Sequence, residues 1–141
     1  MAESIHLRSR VEDITAHWSP QHLLTIDDSH SFKIAKIKGS FIWHSHPHAD
    51  EVFYCVSGGP MKIELSTEAK SPEEADKLGV NDVVELQVGD LFRVPKGVQH
   101  RPVADSETGI LVVEKIGTVN TGDREGDKRT VYVDEGEKKK R

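Results

Sequence analysis

Nine short apolar runs, each closed off by glycine, proline, serine or aspartate, narrow the folds open to this chain. They cover residues 21–26, 32–37, 41–46, 51–56, 61–65, 83–86, 91–94, 102–104 and 110–116. The separators at 27–29, 38–39, 57–60, 88–90, 95–97 and 105–109 are built from turn-forming residues. Strands this short, with turns between them and no regular alternation with helices, predict an all-β antiparallel sandwich or barrel. One stretch breaks the rhythm. Residues 66–82 carry Ser71-Pro72-Glu73-Glu74, an N-cap followed by a proline and acids for the first turn, and so predict a short helix in a surface insertion.

At 141 residues the chain suits one domain. An N-terminal helical segment is expected over 1–20, where Ile5, Val11 and Ile14 share part of one face before Ser19-Pro20 stops the pattern. The barrel follows over 21–117 and a C-terminal tail over 118–141. Residues 118–123 are expected to order against the barrel, and roughly the last ten to be mobile. A net charge of −5 and a pI near 5.9 exclude a nucleic-acid footprint, which needs a basic patch. The basic run from Lys138 to Arg141 reads as a solvated tail. A single cysteine, Cys55, rules out an internal disulfide, and neither a leader-like N-terminus nor a membrane-length apolar run is present. These features are expected of a cytoplasmic protein without a membrane partner.

Chemistry concentrates in two stretches, Gly39 to Gly58 and Gly89 to His100. His44 and His46 stand two apart on an expected strand, which sends both rings to one face. Pro47 ends that strand, and the chain returns through Glu51, with Glu51, Phe53 and Cys55 on one face of the return. A hairpin that sets Glu51 on the histidine face brings three ligands together. His100, after the turn Pro95-Lys-Gly97, is the candidate fourth. Imidazole and carboxylate donors suit one divalent ion of Fe, Mn, Ni, Cu or Zn. Three neutral rings and one carboxylate leave its net charge near +1, with two open positions if it is octahedral. Glu51 doubles as a candidate catalytic base. His48 makes a second His-x-His pair with His46, but Pro47 inside it spoils strand continuity. His6, His17, His22 and His30 read as surface histidines.

The two stretches resemble the paired motifs of the cupin superfamily, Gly-x5-His-x-His-x(3,4)-Glu-x6-Gly and Gly-x5-Pro-x-Gly-x2-His-x3-Asn. The resemblance implies a jelly-roll barrel, or double-stranded β-helix, with His44, His46, Glu51 and His100 as metal ligands and Gly39, Gly58, Gly89 and Gly97 at turns. Two departures stand out: four residues, not five, separate Gly39 from His44, and Ala104 replaces the final Asn. Neither touches a ligand. The wider run from Trp18 to Asp123 also resembles small single-domain cupins labelled mannose-6-phosphate isomerase-like, a label of fold kinship that leaves the substrate open.

Phe53, Cys55 and Met61, with Ile42 and Ile63, are candidates to line a substrate pocket. Cys55, pointing inward, reads as a small buried hydrophobe rather than a reactive or liganding thiol. Arg93 is a candidate to hold an anionic substrate, and Gln99, beside His100, a candidate hydrogen-bonding partner near the ligands. The expected function is a metal-dependent enzyme acting on a small organic molecule, oxygenase-type chemistry being slightly favoured. Alternatives are an isomerase, epimerase or lyase of a sugar or organic acid, or a non-catalytic binding cupin. Cupins commonly pair through their sheets, which implies a homodimer.

Overall fold

The chain enters through α1 (Leu7–Glu12) and continues as β1 (Gln21–Ile26), β2 (His30–Ser40), β3 (Glu51–Ser57) and β4 (Met61–Ser66). Next come α2 (Pro72–Leu78), β5 (Asp82–Leu86), β6 (Leu91–Val94) and the long β7 (Gln99–Lys115). The computed structural model describes residues 2–124 and 126–131. The mobility expected for the end of the tail, and its basic run, lie outside the described residues. Among the described residues no helix is long and apolar enough to cross a membrane.

All paired strands are antiparallel, in the order β1-β2-β7-β3-β6, with β4 joining β7 and β5 joining β4. β7 organises the jelly roll. Its first residues pair with β4, while its second half runs between β2 and β3. Residues 105–109 were expected as a turn between two strands, but β7 continues through them. Ile37 faces Thr108 while Gly39 faces Ala104, so residues 105–107 form a bulge opposite Lys38. Such a bulge bends the strand from one layer towards the other without ending it.

A second expectation also changes. Residues 41–46 are not a strand; their contact with the sheet is an isolated bridge between His44 and His100. Single bonds hold the segment, such as Phe41 N–H to the Pro102 carbonyl (3.0 Å), because Gly39 (φ +85°) turns the chain as β2 ends and Pro47 has no N–H to offer.

The insertion forms α2 as the caps predict. Ser71 Oγ accepts from Glu74 N–H (3.1 Å), Glu74 Oε1 accepts from Lys70 N–H (3.2 Å), and Gly79 N–H closes on the Ala75 carbonyl (2.8 Å). Ala69 and Ala75 pack on Trp43, so the insertion braces the segment that carries the histidines. On the outer face, Val11 and Ile14 pack with Ile34 and Val56, with Leu7 rather than Ile5 completing the stripe. The inner core gathers Ile37, Phe53, Cys55, Met61, Ile63 and Ile110, the strand residues in phase with one another.

Candidate metal centre

His44, His46, Glu51 and His100 each offer an atom to one point, and these atoms lie within 4.8 Å of one another. All four side chains are buried. The 41–46 segment, the start of β3 and the start of the distant β7 deliver them. His44 and His100 face each other across the isolated bridge, with N–H to carbonyl bonds in both directions (3.1 and 2.8 Å). Glu51 begins β3, and Phe53 behind it stands edge-on to the His100 ring.

The rings are oriented from behind. His44 Nδ1–H donates to the Ile42 carbonyl and His100 Nδ1–H to the Val98 carbonyl, both at 2.9 Å. A carbonyl only accepts, so each Nδ1 carries the proton and each Nε2 turns its lone pair inward. Glu51 Oε1 lies 3.0 Å from His100 Nε2 and 3.3 Å from His46 Nε2. Both His100 nitrogens therefore face oxygen acceptors. His46 Nε2 is close to the carboxylate in distance but poorly directed, and it is a buried nitrogen without a hydrogen bond. A divalent ion answers both conflicts. Bonds of about 2.0–2.2 Å put neighbouring ligand atoms roughly 3.0–3.5 Å apart, the separation of Glu51 Oε1 from the His100 and His46 nitrogens. The residues fit a metal.

Electrostatics points the same way. Burial and the neighbouring rings His100 and His46 hold His44 well below the ordinary histidine range, so it is a neutral donor. For His46 burial pushes downwards, but the charge and close contact of Glu51, with the charge of Asp123, together outweigh it and the net shift is up. Burial works to raise Glu51, yet the charge of His46 and the close contact with His100 keep it well below the carboxylate range and ionised.

Glu51 has a neighbour that the sequence reading missed. Glu114 is its cross-strand partner on β7, and Lys33 Nζ donates to Glu114 Oε1 at 2.9 Å, with both side chains about 95% buried. Burial and the Glu51 charge raise Glu114 well above its usual range, so it keeps its proton. Period-two alternation was the available signal: Lys33 is in phase with Ala35 and Ile37, and Glu114 with Ile110 and Val112.

A cavity of about 60 Å³ borders the centre, lined by the polar side chains of His44, Glu51, Lys33 and Glu114 and by the apolar ones of Phe41, Phe53, Ile110 and Val112. Trp18 roofs it, stacked on Phe41 at 4.9 Å between ring centres. Its φ of +59° is unusual for so bulky a residue and is held by bonds to the Lys36 and Lys38 carbonyls.

Of the candidate pocket residues, Phe53 lines the cavity. Cys55 and Met61 are fully buried in the core beyond it, with Ile63. Burial and Asp90 push the Cys55 thiol up, which makes it an inert hydrophobe. Arg93 is corrected: Phe92 and Val94 take the inward phase of β6, so Arg93 faces solvent and pairs with Asp50 at 3.2 Å. Gln99 is also corrected. It points away from His100 on the opposite face of β7, and its Nε2 donates to Asp123 Oδ2 at 2.8 Å. His48 is exposed on the loop after Pro47 and takes no part in the cluster.

The cupin domain family model matches residues 32–114 of the 141. This chain belongs to the cupin family. The cupin is 31% identical over 87 residues to the uncharacterized protein YdbB of Bacillus subtilis (strain 168), a match spanning 62% of this chain and 65% of that relative's length. Its fold matches a cupin-2 domain containing protein from Shewanella frigidimarina NCIMB 400 with a TM-score of 0.63 and 29% identity, over 79% of this cupin and 93% of that chain. Protein NMB1881 from Neisseria meningitidis gives 0.63 and 25%, over 80% and 99%. Hydroquinone 1,2-dioxygenase from Sphingomonas sp. TTNP3 shares the fold alone, with a TM-score of 0.57 and 16% identity over 72% of this cupin and 67% of that chain.

Proposed function

We propose that this cupin is a metal-dependent enzyme that transforms a small organic molecule by oxygenase-type chemistry. The carrying observation is the convergence of four candidate ligand atoms beside a largely apolar cavity that His44 and Glu51 help to line. A bound divalent ion there would supply Lewis acidity and, for Fe, Mn, Ni or Cu, access to redox chemistry. The protein's own residues do the rest. Trp18 and Phe41 exclude water from the His44 side, and the apolar wall favours an uncharged substrate portion. Lys33 is committed to Glu114, which leaves the wall poorly suited to an added anion. Glu51, held ionised, is the group able to accept a proton if substrate displaces it from the ion.

Glu114 favours a second reading, because a proton-bearing carboxyl beside an ionised one pairs an acid with a base. That arrangement serves an isomerase, epimerase or lyase. Loading the protein with Fe²⁺ or with Zn²⁺ and following oxygen uptake and product formation separates the two. Oxygenase chemistry requires consumption of oxygen with iron and none with zinc. Product formed anaerobically with zinc selects proton transfer, and ligand retention without turnover under either metal selects a binding cupin.

We also propose a homodimer. β1 ends the sheet and carries half-exposed Leu24 and Ile26, an apolar open edge of the kind that pairs with another copy. Light scattering is expected to give twice the chain mass, and a monomer mass at high concentration overturns this assembly.

A further inference from the structure

Residues 41–46 carry two of the four ligand side chains, yet no strand holds them. Their bridge to the sheet joins His44 to His100, and what fixes the next residue, Ser45, comes from the far end of the chain. Asp123 N–H donates to the Ser45 carbonyl (2.9 Å). In return, Ser45 N–H donates to Asp123 Oδ1 (2.7 Å) and the Ser45 hydroxyl to Oδ2 (2.9 Å). Gln99, next to His100, gives Oδ2 a further bond at 2.8 Å. One carboxylate thus ties the residue between two ligand histidines to the residue beside the third. The neighbours reinforce the seam. Gly122 (φ +52°) lies so close to the Ser45 carbonyl that a Cβ there would collide with it, and Arg124 Nε–H donates to the Trp43 carbonyl at 2.9 Å.

We propose that Asp123 is a positioning residue for the metal centre, fixing the loop of His44 and His46 against His100 so that their Nε2 atoms meet at one ion. This rests on the reading of the four residues as metal ligands. Aspartate is needed because the three donors that converge on its side chain require two acceptor oxygens. Asparagine keeps one oxygen and turns an N–H₂ towards another donor. The backbone bond to the Ser45 carbonyl survives either change, so substitution is expected to loosen the loop rather than unfold the barrel.

The full-length protein is titrated with Co²⁺ against a chromophoric chelator, as wild type, Asp123→Asn, Asp123→Ala and the milder Ser45→Ala. Amide hydrogen exchange is followed on the metal-free forms. Wild type is expected to take one Co²⁺ per chain. Asp123→Ala should bind it about ten- to a hundredfold more weakly, with an altered Co²⁺ absorption spectrum, Asp123→Asn in between and Ser45→Ala only a few-fold weaker. The His44 and His100 amides should exchange at least about tenfold faster in Asp123→Ala while those of Phe53 and Ile110 hold. Wild-type affinity and spectrum in Asp123→Ala overturn the proposal. So does a uniform rise in exchange at all four amides, which would make Asp123 a general stabiliser. Should Asp123→Ala fail to fold, Ser45→Ala with unchanged affinity and exchange overturns it instead. A wild-type protein that takes up no Co²⁺ removes the metal reading itself; the exchange data then report on the clamp separately.

Discussion

Lys33→Met is expected to cost about 3–5 kcal/mol of folding free energy at pH 7, measured by urea unfolding of the metal-free protein. Lys33 is 3% exposed and Glu114 4%, and their bond of 2.9 Å stands beside the ionised Glu51. Removing the cation leaves two carboxyl groups in an apolar wall without a balancing charge. Glu114 already has a folded pKa raised by burial and by Glu51, and without Lys33 it rises further. A raised acid contributes stability below its unfolded pKa and loses it as pH climbs through the folded value. Glu114 keeps its proton in both proteins below its wild-type folded value, so the deficit of Lys33→Met is level from about pH 4–5, the unfolded glutamate range, up to that raised value and grows only as pH climbs past it. The double variant Lys33→Met/Glu114→Gln should recover much of the loss, since both halves of the pair are gone. A Lys33→Met protein within about 1 kcal/mol of wild type across this range would mean that the pair does not carry the charge balance of the barrel.

His100→Ala should abolish tight metal binding. Structural zinc sites hold their ion with about 10–16 kcal/mol at neutral pH, or roughly 3–4 kcal/mol for each of four ligands. Loss of one ligand then lowers affinity by about two to three decades, visible as loss of metal after passage over a chelating resin. The intact site has its own pH signature. His44 is already neutral and Glu51 already ionised, so neither resists the ion. His46 holds its proton to higher pH than an ordinary histidine because Glu51 lies beside it. The ion must displace that proton, so affinity falls as pH falls, by up to about tenfold per unit between pH 7 and 5. Retention of a full complement at pH 4 would argue against imidazole ligation.

Much of this was readable in the residues because the relevant signals are local. β1 and β6 begin and end where the turn residues put them, and Ser71 caps α2 as its neighbours indicate. The convergence of His44, His46, Glu51 and His100 was readable from spacing, and the turn glycines Gly89 and Gly97 do take positive φ. What failed depended on long-range partners. Residues 41–46 alternate like a strand, but no neighbouring strand runs alongside them. Residues 105–109 look like a turn, but β2 runs past them and absorbs the excess as a bulge. Arg93 was a choice between two faces of a four-residue strand, too short to set its own phase. Lys33 and Glu114 were hidden because charge suggests solvent, although their phase placed them inside. Residues 118–123 were expected to lie on the barrel, but Asp123 could not be matched to Ser45 across 78 residues of chain.

β7 joins β2, β3 and β4, and this fixes when the centre can come into being. During translation Lys33, His44, His46 and Glu51 leave the ribosome while the strand that completes their surroundings has yet to be made. Pairings this distant in sequence form slowly and late. Until His100, Glu114 and Asp123 emerge, the nascent chain holds two imidazoles and an acid with no scaffold to join them. Assembly of the four-residue cluster is therefore a closing event of biogenesis, timed by the arrival of one strand and the residues just after it.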